Sequence, residues 1–269
     1  MPTEPTARVL VPVDPAGADG PVEVAADVTG TGPVVLLLQG QSLGPETAAG
    51  LVTALPGRTR VVVHTRGTGA STGGPGPDGW TTALFAADAV AVLDALGVAR
   101  AHVHGFSMGG RVAQVLAARF PERVDRLVLG ATGPGGAQEV PCDDAVSRTL
   151  RHAGSAAGRQ GLADLFFTPA WSARNPEVAA RFAPTGTPRV RRAHHGASTG
   201  HDGWHLLPLV AARTLVVHGG DDRLTPPANA RLLADRIPAA ELVVLDGARH
   251  GYVEEFRTQV AGLVGDFLG

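Results

Sequence analysis

The 269-residue chain contains no lysine: all 23 of its basic side chains are arginine. That excludes Schiff-base chemistry at a lysine, including attachment of pyridoxal phosphate. Cysteine is nearly absent as well. With Cys142 alone, neither an internal disulfide nor a cysteine cluster for zinc or iron–sulfur can form. Aromatic residues make up only 4% of the chain and the formal net charge is −2, which argues against a nucleic-acid binder with its basic face and base-stacking platforms. No apolar run approaches the length needed to cross a bilayer. The start, MPTEPTARVLVPVD, shows no basic segment leading into an apolar stretch. These absences lead us to expect a cytoplasmic protein without a membrane or nucleic-acid partner; a monomer or homodimer is expected.

What the chain does have is 44% hydrophobic residues, enough for one large core. Short apolar, β-rich runs alternate with longer alanine- and leucine-rich segments, as expected of strands buried on both faces with helices crossing between them. The runs lie at 8–13, 22–28, 34–39, 59–64, 101–106, 124–130, 213–218 and 240–246. The first two are close enough to pair as a hairpin, giving an antiparallel edge on a mostly parallel eight-stranded sheet. Helical spacing is read over 81–96, with Gly97 at the position of a C-cap glycine, and over 108–119, 226–236 and 251–268.

The alternation stops between Gly133 and Gly203, where Gly, Pro, Arg and His are interspersed with scattered large apolar residues. A connection of that length is an insertion or an unstructured loop. Short helical patterns at 143–152, 159–167, 175–182 and 188–197 favour a helical lid inserted after the sixth strand. The division expected is therefore a core of 1–133 and 204–269 and a lid of 134–203. Phe166, Phe167 and Trp171 are candidates to line a substrate pocket, since pockets are walled mostly by apolar side chains.

Gly105-Phe106-Ser107-Met108-Gly109 forms a G-x-S-x-G pattern between an apolar strand and an alanine-rich helix. In such a strand-to-helix elbow the serine is held on a sharp turn, and glycines two residues to either side relieve the crowding. Ser107 then sits at a helix N-terminus, where the backbone N–H of Met108 is aimed at a developing oxyanion. Around such an elbow the acid and the base follow the serine along the chain, in that order. His250 alone among ten histidines lies after the last strand and before the final helix. The acid is Asp221 or Asp222, adjacent residues following the penultimate strand. Four further histidines, His194, His195, His201 and His205, match no common zinc spacing, and neither metal nor cofactor is expected.

Assembled in this way, the chain resembles the α/β-hydrolase superfamily over nearly its whole length. More narrowly it resembles bacterial serine hydrolases described as 3-oxoadipate enol-lactonase-like. The stretches that carry the resemblance are VVLLLQGQSLG, HTRGTGAST, ADAVAVLDALGVARAHVHGFSMGGRVAQVLAARFPERVDRLVLGAT and TLVVHGGDDRLTPPANARLLADRIPAAELVVLDGARHGYVEEF. The resemblance implies an α/β-hydrolase fold, a Ser107–His250–Asp222 triad and hydrolysis of a small carboxylic ester or lactone through an acyl-enzyme. It selects Asp222 over Asp221. It also implies Gln41, in the loop after the third strand, as the second oxyanion N–H donor beside Met108. The same framework carries C–C bond hydrolases, perhydrolases and acyltransferases, whereas its dehalogenases use an aspartate nucleophile. Two positions depart from the family pattern: Gln39-Gly40 stands where many members have His-Gly, and His64 where most have an acidic residue. In the glycine-rich loop that His64 begins, Arg66 is expected to brace the neighbouring loops, paired with Asp88.

Overall fold

A computed structural model describes residues 6–76, 79–152 and 156–269, so the amino-terminal stretch read above for a leader lies only partly within it. Eight strands form one sheet: β1 (Thr6–Val13), β2 (Val22–Thr29), β3 (Val34–Leu38), β4 (Thr59–Val63), β5 (Ala101–Phe106), β6 (Val124–Gly130), β7 (Arg213–Gly219) and β8 (Glu241–Leu245). Their spatial order is β1-β2-β4-β3-β5-β6-β7-β8. β1 pairs antiparallel with β2, and β2 antiparallel with β4; every later pairing is parallel. The antiparallel edge expected of the first two runs is thus present.

Alternate residues of the central strands feed two separate cores. Leu36, Val61, Val103, Leu127, Leu129 and Val216 face one layer, built on α2 (Thr82–Ala95), α3 (Met108–Arg119) and α9 (Ala228–Arg236). Val35, Leu37, Val62, Val128, Leu215 and Val217 face the other, built on α1 (Ala49–Ala54), α10 (Tyr252–Glu255) and α11 (Arg257–Leu268). Burial on both sides explains the continuous apolar runs, each fully buried Leu or Val being worth about 1.5–3 kcal/mol. The helix boundaries have local causes. Thr81 caps α2 by accepting from Leu84 N, and the helix ends at Gly97, whose φ of +67° lets Gly97 N and Val98 N close back onto Asp94 O and Leu93 O.

Between β6 and β7 the chain is helical: α4 (Asp144–Arg151), α5 (Ala156–Phe166), α6 (Pro169–Arg174), α7 (Pro176–Arg181) and α8 (Pro188–Thr199). The four helical patterns of the sequence correspond to α4, α5, α7 and α8. α6, a short helix capped by Thr168, was not read from the sequence. Among the described residues, no helix is long and apolar enough to cross a membrane.

The parallel strands all point the same way, so the loops after β3, β4, β5, β7 and β8 gather at one edge of the sheet. The chain runs outward from β3 to β4 and then crosses back to β5 on the other side of β3. Such a reversal opens a crevice at the carboxyl ends of the two strands. Beside it Arg66, entirely buried, makes the expected bidentate pair with Asp88, at 2.7 Å for both Nε–Oδ2 and Nη2–Oδ1. Its Nη1 and Nη2 also donate to Ala16 O and Asp14 O, tying the loop after β4 to α2 and to the β1–β2 connection.

Three buried histidines carry a pH signature. Burial pushes His104 and His194 down to about 4 and His201 to about 3. Their folded values lie below the ordinary one, so the unfolded chain binds the extra protons. Stability is therefore complete above pH about 6.5 and falls on acidification toward about 4. His104, on β5, makes no side-chain hydrogen bond to another described residue. The variant His104→Leu should fold and lose roughly 1–2 kcal/mol of the stability difference between pH 7 and pH 5. Urea melts at the two pH values measure it; an unchanged difference would refute this account of His104.

Candidate functional site

The turn between β5 and α3 places Ser107 at φ 55°, ψ −118°, a conformation that costs a non-glycine residue about 1–3 kcal/mol. Its surroundings leave no alternative. A Cβ on Gly105 would lie 2.4 Å from Gly109 O, and one on Gly109 would lie 2.1 Å from Leu38 O. The glycines therefore let the start of α3 come down onto β5 and the end of β3. Ser107 N donates to Gly130 O at 2.8 Å, anchoring the turn to β6. The serine itself remains half-buried, open to a reactant, at the N-terminus of α3.

The loop after β8 brings His250 to this serine. Its Nε2 is 3.1 Å from Ser107 Oγ, and its Nδ1 is 2.8 Å from Asp222 Oδ2. An ionised carboxylate only accepts, so Nδ1 carries the proton and Nε2 presents its lone pair to the serine hydroxyl. The other carboxylate oxygen, Oδ1, accepts from Leu224 N and Thr225 N, both at 2.9 Å. Of the two adjacent aspartates, Asp222 is the one that meets the imidazole. Asp221 is exposed, and its N–H donates to Ala248 O, closing the turn. Burial by itself would raise the Asp222 pKa. The charge of His250 and the hydrogen bonds from His218 and His250 outweigh that and hold it at about 2. His218, whose Nε2 donates to Thr225 O and lies 3.4 Å from Asp222 Oδ2, was not singled out from the sequence.

The N–H groups of Met108 and Gln41 donate to no acceptor among the described residues. The loop carrying Gln41 passes directly over the serine, since a Cβ on Gly40 would sit 3.3 Å from Ser107 Cβ. Gln39, buried, has its Oε1 3.1 Å from Thr47 Oγ1, which braces this loop from within. The histidine at position 64 is accommodated by a partner on β2. His64 Nδ1 accepts from Ala70 N at 3.0 Å, while its Nε2 lies 3.1 Å from Asp27 Oδ2. Burial lowers its pKa against the raising effect of Asp27. The imidazole thus supplies the acceptor for the Ala70 N–H.

The aromatic residues divide. Phe166 stands edge-on to His250, with ring centroids 5.1 Å apart, and Phe106 flanks the imidazole at 5.2 Å. Phe167 is fully buried, stacked on Trp171 at 4.6 Å and edge-on to Phe182 at 5.0 Å. The main chain nearby was not legible in the sequence: His250 N and Gly251 N donate to Leu165 O and Phe166 O at the end of α5. Arg249 Nη1 adds hydrogen bonds to Asp164 O and Phe167 O. The orphan carbonyls of α5 are therefore capped by the loop that carries His250. Of the four clustered histidines, His195 and His205 are exposed, whereas His194 and His201 are buried and hydrogen-bonded.

Residues 33–146 match the family model described as the alpha/beta hydrolase fold. The chain is 30% identical over 250 residues to the putative carbamate hydrolase RutD of Azorhizobium caulinodans, covering 88% of this chain and 92% of that one. It is 31% identical over 193 residues to the 2-hydroxymuconate semialdehyde hydrolase of Pseudomonas sp. strain CF600, covering 67% of this chain and 66% of that one. Among solved structures, the enol-lactonase from Burkholderia xenovorans LB400 superposes with a TM-score of 0.78 at 27% identity, covering 98% of this chain and 99% of that one. The sheet, the elbow and these relatives agree: the chain belongs to the α/β-hydrolase family.

Proposed function

We propose that this hydrolase cleaves a small carboxylic ester or lactone by way of an acyl-serine intermediate. The observation that carries the reading is the unbroken hydrogen-bonded line from Asp222 through His250 to Ser107, at 2.8 and 3.1 Å, beside two main-chain N–H groups with no partner among the described residues. In this mechanism Ser107 Oγ attacks the carbonyl carbon as His250 Nε2 takes the hydroxyl proton. The carbonyl oxygen becomes an oxyanion received by the N–H groups of Met108 and Gln41. Collapse of this intermediate breaks the C–O bond, and His250 returns the proton to the departing alkoxide. Water then attacks the acyl-serine carbonyl while giving a proton to His250, and release of the acid restores the serine hydroxyl. A lactone differs only in that its alcohol stays tethered to the acyl group. Asp222, low in pKa, stays ionised throughout and favours the imidazolium each time it forms.

In the same reading residues 134–203 act as a lid over a core of 1–133 and 204–269, and Phe166 forms an apolar wall beside the imidazole. Phe167 and Trp171 support that wall from behind, through the contact of Phe167 with Phe166 at 6.1 Å and with Trp171 at 4.6 Å. A second reading, C–C bond hydrolysis, draws on the similarity to a 2-hydroxymuconate semialdehyde hydrolase. There the same serine would attack a ketone and the leaving group would be a carbanion. Perhydrolysis and acyl transfer use the same acyl-serine with a different acceptor in the second step.

Three substitutions test the reading. Ser107→Ala is expected to lower kcat/KM on p-nitrophenyl esters by about 10⁴-fold or more and to abolish labelling by a fluorophosphonate, with the circular dichroism spectrum unchanged. Full turnover by this variant would sink the mechanism. Asp222→Asn should lower kcat by about 10⁴-fold because the imidazole takes the wrong tautomer, whereas Asp221→Asn should stay within about threefold of the parent. The opposite ranking would reassign the acid.

A further inference from the structure

The loop that carries Gln41 is gripped by the helices between β6 and β7. Ser42, the next residue, is held at both of its peptide groups. Its N–H donates to His194 Nδ1 on α8 at 3.0 Å. Its carbonyl accepts from Thr185 N at 2.7 Å and from Thr185 Oγ1 at 3.0 Å, just before α8. Ser42 is also one of the few non-glycine residues with a positive φ, 56°, a conformation that persists only where its surroundings enforce it. The peptide N–H of Ser42 and that of Gln41 flank a single residue, so the orientation of one constrains the other.

His194 is suited to fixing that orientation. Its Nε2 lies 2.9 Å from Arg66 O, a carbonyl that only accepts, so Nε2 carries the proton and Nδ1 is left as the acceptor for Ser42 N–H. Burial holds the imidazole down at about 4, neutral near pH 7. The ring is packed against Trp80, with centroids 5.2 Å apart, and edge-on to Phe85 at 5.6 Å. Both nitrogens are thus committed and the ring is packed against two aromatic side chains, so one side chain of α8 bridges the loops after β3 and β4. Arg66, whose carbonyl is the second anchor, is itself locked by Asp88.

We infer that His194 is a positioning residue for the oxyanion site: by accepting from Ser42 N–H it sets the direction of the Gln41 N–H that receives the carbonyl oxygen in the transition state. This deepens the proposed acyl-serine mechanism and rests on it. α8 is then a structural part of the reaction centre, and movement of any cover over Ser107 has to leave α8 in place or disassemble the oxyanion site.

The test uses three variants of the full chain, with active sites counted by fluorophosphonate titration so that turnover is expressed per reactive serine. His194→Phe keeps an aromatic ring beside Trp80 and Phe85 but removes the hydrogen bonds to Ser42 N, Ser42 Oγ and Arg66 O. It is expected to lower kcat on p-nitrophenyl butyrate by about 10–100-fold, somewhat less than outright loss of an oxyanion donor, with KM within about threefold. Affinity for a trifluoromethyl ketone, whose serine adduct presents the same oxyanion, should fall in proportion to kcat. His194→Asn, whose amide oxygen can take the place of Nδ1, should recover most of the loss. Thr185→Val, which removes only the hydroxyl bond to Ser42 O, should lower kcat by a smaller factor in the same way, and serves if His194→Phe does not fold. A merely structural role for His194 would reduce the number of titratable sites or the melting temperature and leave kcat per site unchanged; that result overturns the proposal. So does a loss of ketone affinity that fails to track kcat. If Ser107→Ala retained turnover, the acyl-serine mechanism itself would fall, an outcome separate from either of these.

Discussion

Ser107 occupies a strained backbone position between a strand and a helix, and the close approach that enforces it organises the rest of the molecule. For the serine to stand at φ 55°, the first turn of α3 has to lie against the end of β3, where Gly109 comes so near Leu38 O that no Cβ would fit. The same approach draws the loop after β3 over the serine and exposes the Met108 N–H at the start of α3. β5 cannot yield, because it is buried on both faces between two strands. The strain is thus borne by a rigid scaffold of parallel strands, which fixes the position of the Ser107 side chain.

Charge at the site is arranged around one buried carboxylate. Asp222 is almost wholly removed from water, a position that disfavours its ionised form, yet it receives two main-chain N–H groups, His250 and the nearby His218. Those partners reverse the effect of burial. Elsewhere the same logic yields neutral groups. His194 and His201 are buried imidazoles used as a donor at one nitrogen and an acceptor at the other, each bridging segments distant in sequence, and His64 is a third buried imidazole that accepts from Ala70 N. His64 is placed beside Asp27, whose Oδ2 lies 3.1 Å from its Nε2.

The helices between β6 and β7 hold both loops that matter. The end of α5 is capped by the backbone around His250, and α8 with Thr185 holds Ser42 beside Gln41. Helix ends need partners for their free carbonyls, and a loop with a positive φ needs external restraint. Each requirement is met by the other element, so the helices between β6 and β7 and these loops are mutually dependent.

Periodicity and glycine placement were enough to locate the eight described strands, the elbow, the C-cap at Gly97 and four of the five α-helices described between β6 and β7, because these follow from local backbone preference and from burial on one or two faces. Ser107 and His250 were legible for the same reason: each is defined by its position relative to a strand. The choice between Asp221 and Asp222 was not a local matter, since both lie in one turn, and only the folded loop directs one carboxylate inward. α6 escaped notice because its six residues are too few to show a period. His194 and His218 looked like any other histidines in a chain that has ten, and Phe167 like any pocket aromatic. The partners of His194 lie far along the chain, 152 residues away for Ser42, so its contacts exist only once the tertiary structure has closed.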